Sequence, residues 1–268
     1  MLKDITLGQY FPGNSVIHRL DPRAKLIVLV IYIVALFMAV SWVSYALMVV
    51  FLLACIRIST IPAKSFIRGM KPLMMILVFT GVLNLFFTTD GEVIVDFWFI
   101  TITSGGLQRA VFMVVRILLL ICGTFLLTYT TSPISLTDGL EALMNPLKKI
   151  KVPVHELSMM MCIALRFIPT LIEETDKIMS AQKARGADFE SGTLMEKAKA
   201  LIPILVPLFI SAFRRADELA TAMECRCYQG GEGRTKMKLL RYTLWDFEAF
   251  GVGAVVLAAV CLLRTFGL

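Results

Sequence analysis

Three stretches without a charged residue constrain this chain more than any other feature: Leu26–Ile56, Pro72–Thr89 and Ile117–Thr137. An uncharged apolar run of about 18 or more residues is long enough to cross a bilayer as a helix. In lipid, only a helix or a closed barrel satisfies its own backbone hydrogen bonds. Composition agrees, since 57% of the residues are apolar and 18% are charged, against about a quarter charged in soluble domains. Asp4, His18, Arg19, Asp21 and Arg23 precede the first run, and no small-residue cleavage site follows a short one. That pattern argues against a cleavable leader.

Charge sets the expected topology. Leu26–Ile56 is long for one crossing and short for two complete ones. The segment before it carries Lys3, Arg19, Arg23 and Lys25, and the loop after it carries Arg57, Lys64, Arg68 and Lys71 with no acid. Basic segments stay on the cytoplasmic side, so the run is read as two crossings with a turn at Ser41–Ser44. A third span covers about Pro72–Thr88, and the acidic loop with Asp90, Glu92 and Asp96 lies outside. Within that loop Val93–Thr103 is rich in β-formers and reads as a small hairpin. A fourth span, about Gln108–Thr131, returns the chain, and Leu244–Leu263 forms a fifth. The expected fold is all-α: a polytopic membrane protein with about five transmembrane helices and an inserted cytoplasmic segment of long amphipathic helices. The parts are residues 1–131 (membrane helices), 132–241 (cytoplasmic) and 242–268 (C-terminal membrane helix), with the N-terminus cytoplasmic. Arg116 falls inside the fourth span, either on a substrate or proton pathway, or snorkelling or paired within the bundle; the second reading is preferred.

The inserted segment carries 16 of the chain's 27 basic residues. Thr137 or Asp138 is placed to cap a short helix with apolar residues at Leu136, Leu140, Leu143, Met144 and Leu147. Val154–Thr170 is apolar but contains His155, Glu156 and Arg166, so it is expected along the interface and not across the membrane. The helix continues from Pro169 with Leu171, Ile172, Thr175, Ile178 and Met179 on one side and ends at Ala184-Arg185-Gly186, where Gly186 suits a left-handed cap. A second amphipathic helix is expected over Ile202–Cys227, with Pro203 and Pro207 marking its start or a kink. It ends near Cys225-Arg226-Cys227, ahead of Gln229-Gly230-Gly231. Both arginines thus sit at helix C-termini, where a cation is favoured by the helix dipole. Each offers a planar five-donor fork suited to the carboxylates and carbonyls of a partner.

Several classes of activity find no support. Cys55, Cys122, Cys162 and Cys261 are scattered, and Cys225-x-Cys227 without a nearby histidine is a poor zinc pattern. The net charge of +7 comes without the basic–aromatic interleaving of single-strand binders, so no nucleic acid partner is expected. No phosphate loop, histidine cluster or nucleophile motif is present. The chain is therefore expected to be non-catalytic and to need no cofactor.

Ala181-Gln182-Lys183-Ala184-Arg185-Gly186-Ala187 and Ala222-Met223-Glu224-Cys225-Arg226-Cys227-Tyr228 together resemble the paired Ala-Arg-Gly motifs of one family. That family is the transmembrane T component of energy-coupling factor (ECF) transporters, relatives of ABC transporters. Leu165–Pro169, Val206–Phe209 and the order of spans are similar too, so the resemblance covers nearly the whole chain. It implies a subunit of the cell membrane that binds two ATP-binding cassette ATPase subunits through Ala184, Arg185, Gly186, Cys225, Arg226 and Cys227. It also implies a membrane-embedded, substrate-binding S component as a further partner beside the lipid bilayer. ATP-driven movement would then be passed on for uptake of a vitamin or other micronutrient. The second motif departs from the pattern. Cys227 carries a Cβ, which disfavours a left-handed cap and moves the expected cap to Gly230. The alternative reading is a self-sufficient permease or channel, for which only Asn84 and Arg116 stand out inside the spans.

Overall fold

The structure is a computed structural model that describes residues 10–87, 93–97, 100–187, 189, 193–231 and 239–266. Lys3, Asp4, Asp90 and Glu92, used above, lie outside the described residues. The fold is all-α in class, with one short hairpin. Its elements are α1 (Val16–Arg19), α2 (Pro22–Met38), α3 (Trp42–Ser59), α4 (Ala63–Met70), α5 (Met74–Phe87), β1 (Val93–Phe97), β2 (Ile100–Thr103), α6 (Ser104–Thr130), α7 (Pro133–Met144), α8 (Val154–Ala184), α9 (Leu194–Glu224) and α10 (Leu244–Thr265). The expected hairpin forms, with β1 and β2 antiparallel.

Among the described residues, five helical stretches are long and apolar enough to cross a membrane: Trp42–Ser59, Ala63–Phe87, Ser104–Thr130, Val154–Ala184 and Leu244–Thr265. The number matches expectation, but the membership differs. Helix α2 has 17 residues, about 26 Å of helix, slightly short of a hydrocarbon core of about 30 Å. Helix α8, expected at the interface, qualifies by length and composition; it runs through Pro169 as one helix of 31 residues, as the sequence suggested.

The chain divides into two compact units. One comprises residues 8–139 and 240–268, and its core is built where α2, α3, α6 and α10 meet, around Tyr32, Leu36, Tyr45, Met48, Leu52, Leu119 and Val260. Small residues let these helices approach closely. A Cβ on Gly123 would sit 2.6 Å from the Tyr32 ring, while Tyr32 Oη donates to the Leu119 carbonyl at 3.0 Å. Arg116 belongs to this packing: Nε donates to Tyr45 Oη at 2.9 Å and Nη2 to the Ala39 carbonyl at 3.1 Å. It thereby caps the end of α2 and fixes the α2–α3 turn from α6, which is the paired-in-the-bundle reading.

Polar groups in the same unit gather at the other end of these helices. Asp246 is fully buried; its Oδ2 accepts from the Thr243 amide and hydroxyl at the start of α10, and its Oδ1 accepts from the Asp21 amide at the start of α2. Lys25 Nζ donates to the Thr130 carbonyl, Thr131 Oγ1 and the His18 carbonyl at 2.9, 3.1 and 3.3 Å. Tyr129 Oη donates to the Ser65 carbonyl in α4. The starts of α2, α4 and α10 and the end of α6 therefore share one face, and Ala39, Tyr45 and Arg116 mark the opposite one.

The other unit contains residues 140–239 and holds α8 and α9. Two sequence expectations are corrected on its approaches. Helix α7 starts at Pro133 with Ser132 Oγ accepting from the Ser135 amide, so Thr137 and Asp138 lie inside the helix, past its N-terminal cap. Helix α9 starts at Leu194, well before Ile202, because Thr193 and Glu196 form a reciprocal capping box. Pro203 and Pro207 are consequently interior residues of α9.

Candidate partner-docking site

Helices α8 and α9 run antiparallel. Gln182 Nε2 donates to the Pro203 carbonyl at 3.4 Å. Nearer the middle, Glu174 accepts from Ser211 Oγ and, at 2.9 Å, from Arg215 Nη2. Further along, Ile163, Phe167 and Leu171 face Ala216, Leu219, Ala220 and Met223 across a groove of about 270 Å³. Positions rise on α8 as they fall on α9, so the helix ends fall at opposite ends of the pair. From Ile163, opposite Met223, to Arg185 is about 33 Å at 1.5 Å per residue.

Both ends close in the same way. After α8, the Gly186 amide donates to the Lys183 carbonyl at 3.0 Å and the Ala187 amide to the Gln182 carbonyl at 3.0 Å. After α9, the Cys227 amide donates to the Glu224 carbonyl at 2.8 Å and the Tyr228 amide to the Met223 carbonyl at 3.1 Å. This is the Schellman arrangement twice over, and it satisfies the last carbonyls of each helix. The left-handed residue is Gly186 at φ 87° in the first case and Cys227 at φ 55° in the second. The expectation that the cap shifts to Gly230 is thus overturned. The two cap hydrogen bonds hold Cys227 in the left-handed region despite its Cβ, and Gly230 adds a separate positive-φ turn at 92°.

In register, Ala184, Arg185 and Gly186 correspond to Cys225, Arg226 and Cys227. All six are exposed. Each arginine is the residue immediately before the left-handed position, at the end of the last turn of its helix. A side chain at Gly186 would meet no atom within 4 Å, which leaves room for a partner to close on the arginine. Beyond the second motif, Gly231 lies against the His155 ring so closely that a Cβ would be 2.6 Å from Cδ2. His155 Nδ1 is 3.2 Å from Glu141 Oε1, and Ser158 Oγ donates to Glu141 Oε2 at 2.9 Å. His155 is thus a polar anchor at the start of α8. Among the described residues no group of His, Cys, Asp and Glu could hold a metal ion.

One apolar stripe is left uncovered. Ile202, Leu205, Val206, Phe209 and Phe213 recur at helical spacing on α9, and Phe209 and Phe213 are 61% and 69% exposed. Met160, Met161 and Met195 are exposed as well. Sequence reasoning missed Thr193, Glu196, Glu174, Ser211 and Arg215, which start α9 and join it to α8. Only the Thr193-x-x-Glu196 spacing was there to be read.

Five membrane-length apolar helices among the described residues define a multi-pass membrane protein. Comparison with known proteins gives the class and the family. Residues 13–237 match the family described as CbiQ, cobalt transport protein. The energy-coupling factor transporter transmembrane protein EcfT of Ruminiclostridium cellulolyticum is 53% identical over 264 residues, 98% of each chain. That of Thermosediminibacter oceani is 57% identical over 249 residues, covering 93% of this chain and 94% of the relative. The Bacillus subtilis protein of the same name is 49% identical over 260 residues, covering 97% and 98%. The chain belongs to this family, and is a transmembrane component of an energy-coupling factor transporter.

Proposed function

We propose that the chain is the non-catalytic coupling component of its transporter, and that Arg185 and Arg226 each dock one ATP-binding cassette ATPase subunit. The observation that carries this reading is the pair of matched helix caps. Two exposed arginines, held by the same hydrogen-bond pattern, stand at opposite ends of one antiparallel helix pair. A separation of about 33 Å suits two partners better than two contacts on one small surface. An exposed arginine at a capped helix end can give several charge-assisted hydrogen bonds to a receiving groove. ATP hydrolysis belongs to the partners.

The apolar stripe of α9 is the surface proposed for the membrane-embedded S component, since an uncovered apolar face of this kind marks an interaction site. The exposed Met195, one face-repeat before Ile202 on α9, suits a surface that repacks against more than one partner. The cargo would be a vitamin or other micronutrient, selected by the S component. Movement of the two docked ATPases would change the α8–α9 pair, and the Glu174–Arg215 contact would transmit it between the helices.

The proposed topology places the N-terminus and residues 132–241 in the cytoplasm, with residues 1–131 and 242–268 supplying the membrane helices. The shared face formed by the starts of α2, α4 and α10 and the end of α6 supports α2 as a crossing, because α2 and α3 then go out and back. Helix α8 carries His155, Glu156, Arg166, Glu173, Glu174, Asp176 and Lys177, a load that favours the cytoplasmic interface over the bilayer centre. The test is purification of the intact chain from its native membrane in mild detergent. Two ATPase subunits and a membrane-embedded binding subunit should accompany it. Substrate transport by the purified chain alone in liposomes would overturn the reading in favour of a permease.

A further inference from the structure

The two caps share a backbone but differ in chemistry. At the first, Arg185 is flanked by a methyl group and a glycine. At the second, Arg226 is flanked by two thiols, and both Cys225 and Cys227 are free and exposed, whereas Cys55, Cys122, Cys162 and Cys261 are partly buried. Cys227 holds the left-handed position of its cap, and its side chain is exposed. At the matching position of the first cap, the space a side chain would take is open to 4 Å. An exposed thiol is the accessible nucleophile in thiol–disulfide exchange, and access is one of the factors that sets its rate. Two such thiols border the docking arginine on both sides.

We propose that Cys225 and Cys227 form a thiol-modification site that accepts low-molecular-weight disulfides next to Arg226, and that the adduct releases the ATPase subunit docked there while the Arg185 end is unaffected. The release step rests on the docking reading given above. In the exchange, a cysteine thiolate attacks one sulfur of the small disulfide. That S–S bond breaks as the new one forms, and the other half leaves as a thiolate and takes up a proton. The cysteine sulfur is oxidised and the leaving half is reduced, so no further oxidant is required. The adduct places a bulky, hydrophilic group one residue from the guanidinium, where a partner must close. It also loads a backbone position already held in a conformation that residues with a Cβ rarely adopt.

The experiment uses the full chain in lipid nanodiscs. The chain is treated with oxidised glutathione, the reagent is removed, and the ATPase subunits that co-purify with the transporter are then added. Peptide mass spectrometry should find the glutathione adduct at Cys225 or Cys227, and native mass spectrometry should show one of the two ATPase subunits lost. Dithiothreitol should restore it. The Cys225→Ala/Cys227→Gly variant, compared with its own untreated sample, should show no such loss. Absence of the adduct, an adduct with undiminished ATPase binding, or an equal loss in the double variant would each overturn the proposal. The docking reading is tested apart by untreated Arg226→Ala. Full ATPase binding by that variant would remove the docking role, and the release step with it, whether or not the adduct forms.

Discussion

Gly186 and Cys227 occupy the same position in two copies of one helix cap, at φ 87° and 55°. The hydrogen bonds around them match, running from the left-handed residue to the third residue before it and from the next residue to the fifth before that. Only the first of the two is conformationally at ease. A Cβ in the left-handed region costs roughly 1–2 kcal/mol. Cys227→Gly should therefore stabilise the end of α9 by about 1 kcal/mol, and Gly186→Ala should destabilise the end of α8 by at least as much. Hydrogen exchange at the Tyr228 and Ala187 amides reads both effects, with slower exchange in the first variant and faster exchange in the second.

The long helix pair is joined at its centre by Glu174, Ser211 and Arg215. Arg215 and Glu174 are partly exposed, so the ion pair is screened, but the shared hydrogen bonds make it stronger than an isolated surface pair. A double-mutant cycle with Glu174→Ala and Arg215→Ala should give a coupling energy of about 1 kcal/mol. Additive effects on unfolding would show that this contact does not join the two helices.

Arg116 has a structural role. Arg116→Met removes the donors to the Ala39 carbonyl and Tyr45 hydroxyl, at a cost of about 1–3 kcal/mol. The purified chain should lose thermal stability in detergent. Arg116→Lys should recover only part of it, because one ammonium cannot reproduce the two-atom reach of the guanidinium.

His18 supplies a pH dependence. Burial is the main cause that lowers its pKa below the ordinary 6.5, with nearby Lys25 acting the same way and the hydrogen bond to the Phe11 carbonyl opposing them. The folded state therefore disfavours the protonated ring. The contribution to stability is complete above the unfolded pKa near 6.5 and is lost as pH falls from there through the lower folded value. Thermal stability of the intact chain should decline across that window, and His18→Gln should flatten the decline.

The helices over Trp42–Ser59, Ala63–Phe87, Ser104–Thr130 and Leu244–Thr265 were legible because apolar runs of that length have few alternatives. The first motif was legible for a local reason, since Gly186 is the residue a Schellman cap prefers. The second misled because propensity disfavours Cys227 at that position, while two cap hydrogen bonds to Glu224 and Met223 outweigh the preference. The start of α9 was misplaced because Pro203 and Pro207 were read as boundaries. Both are tolerated inside the helix, and the capping box at Thr193 and Glu196 marks the true start. Contacts such as Glu174 with Arg215, or Asp21 with Asp246 across 225 positions, have no local signature and required the folded chain.

The central claim is that the two capped arginines hold the ATPase subunits. Its most direct test is the Arg185→Ala/Arg226→Ala double variant, expressed with its partner subunits and purified from membranes. The account predicts that the chain remains in the membrane at normal levels while both ATPase subunits are lost and transport stops. A double variant that retains its ATPases and transports normally would contradict it.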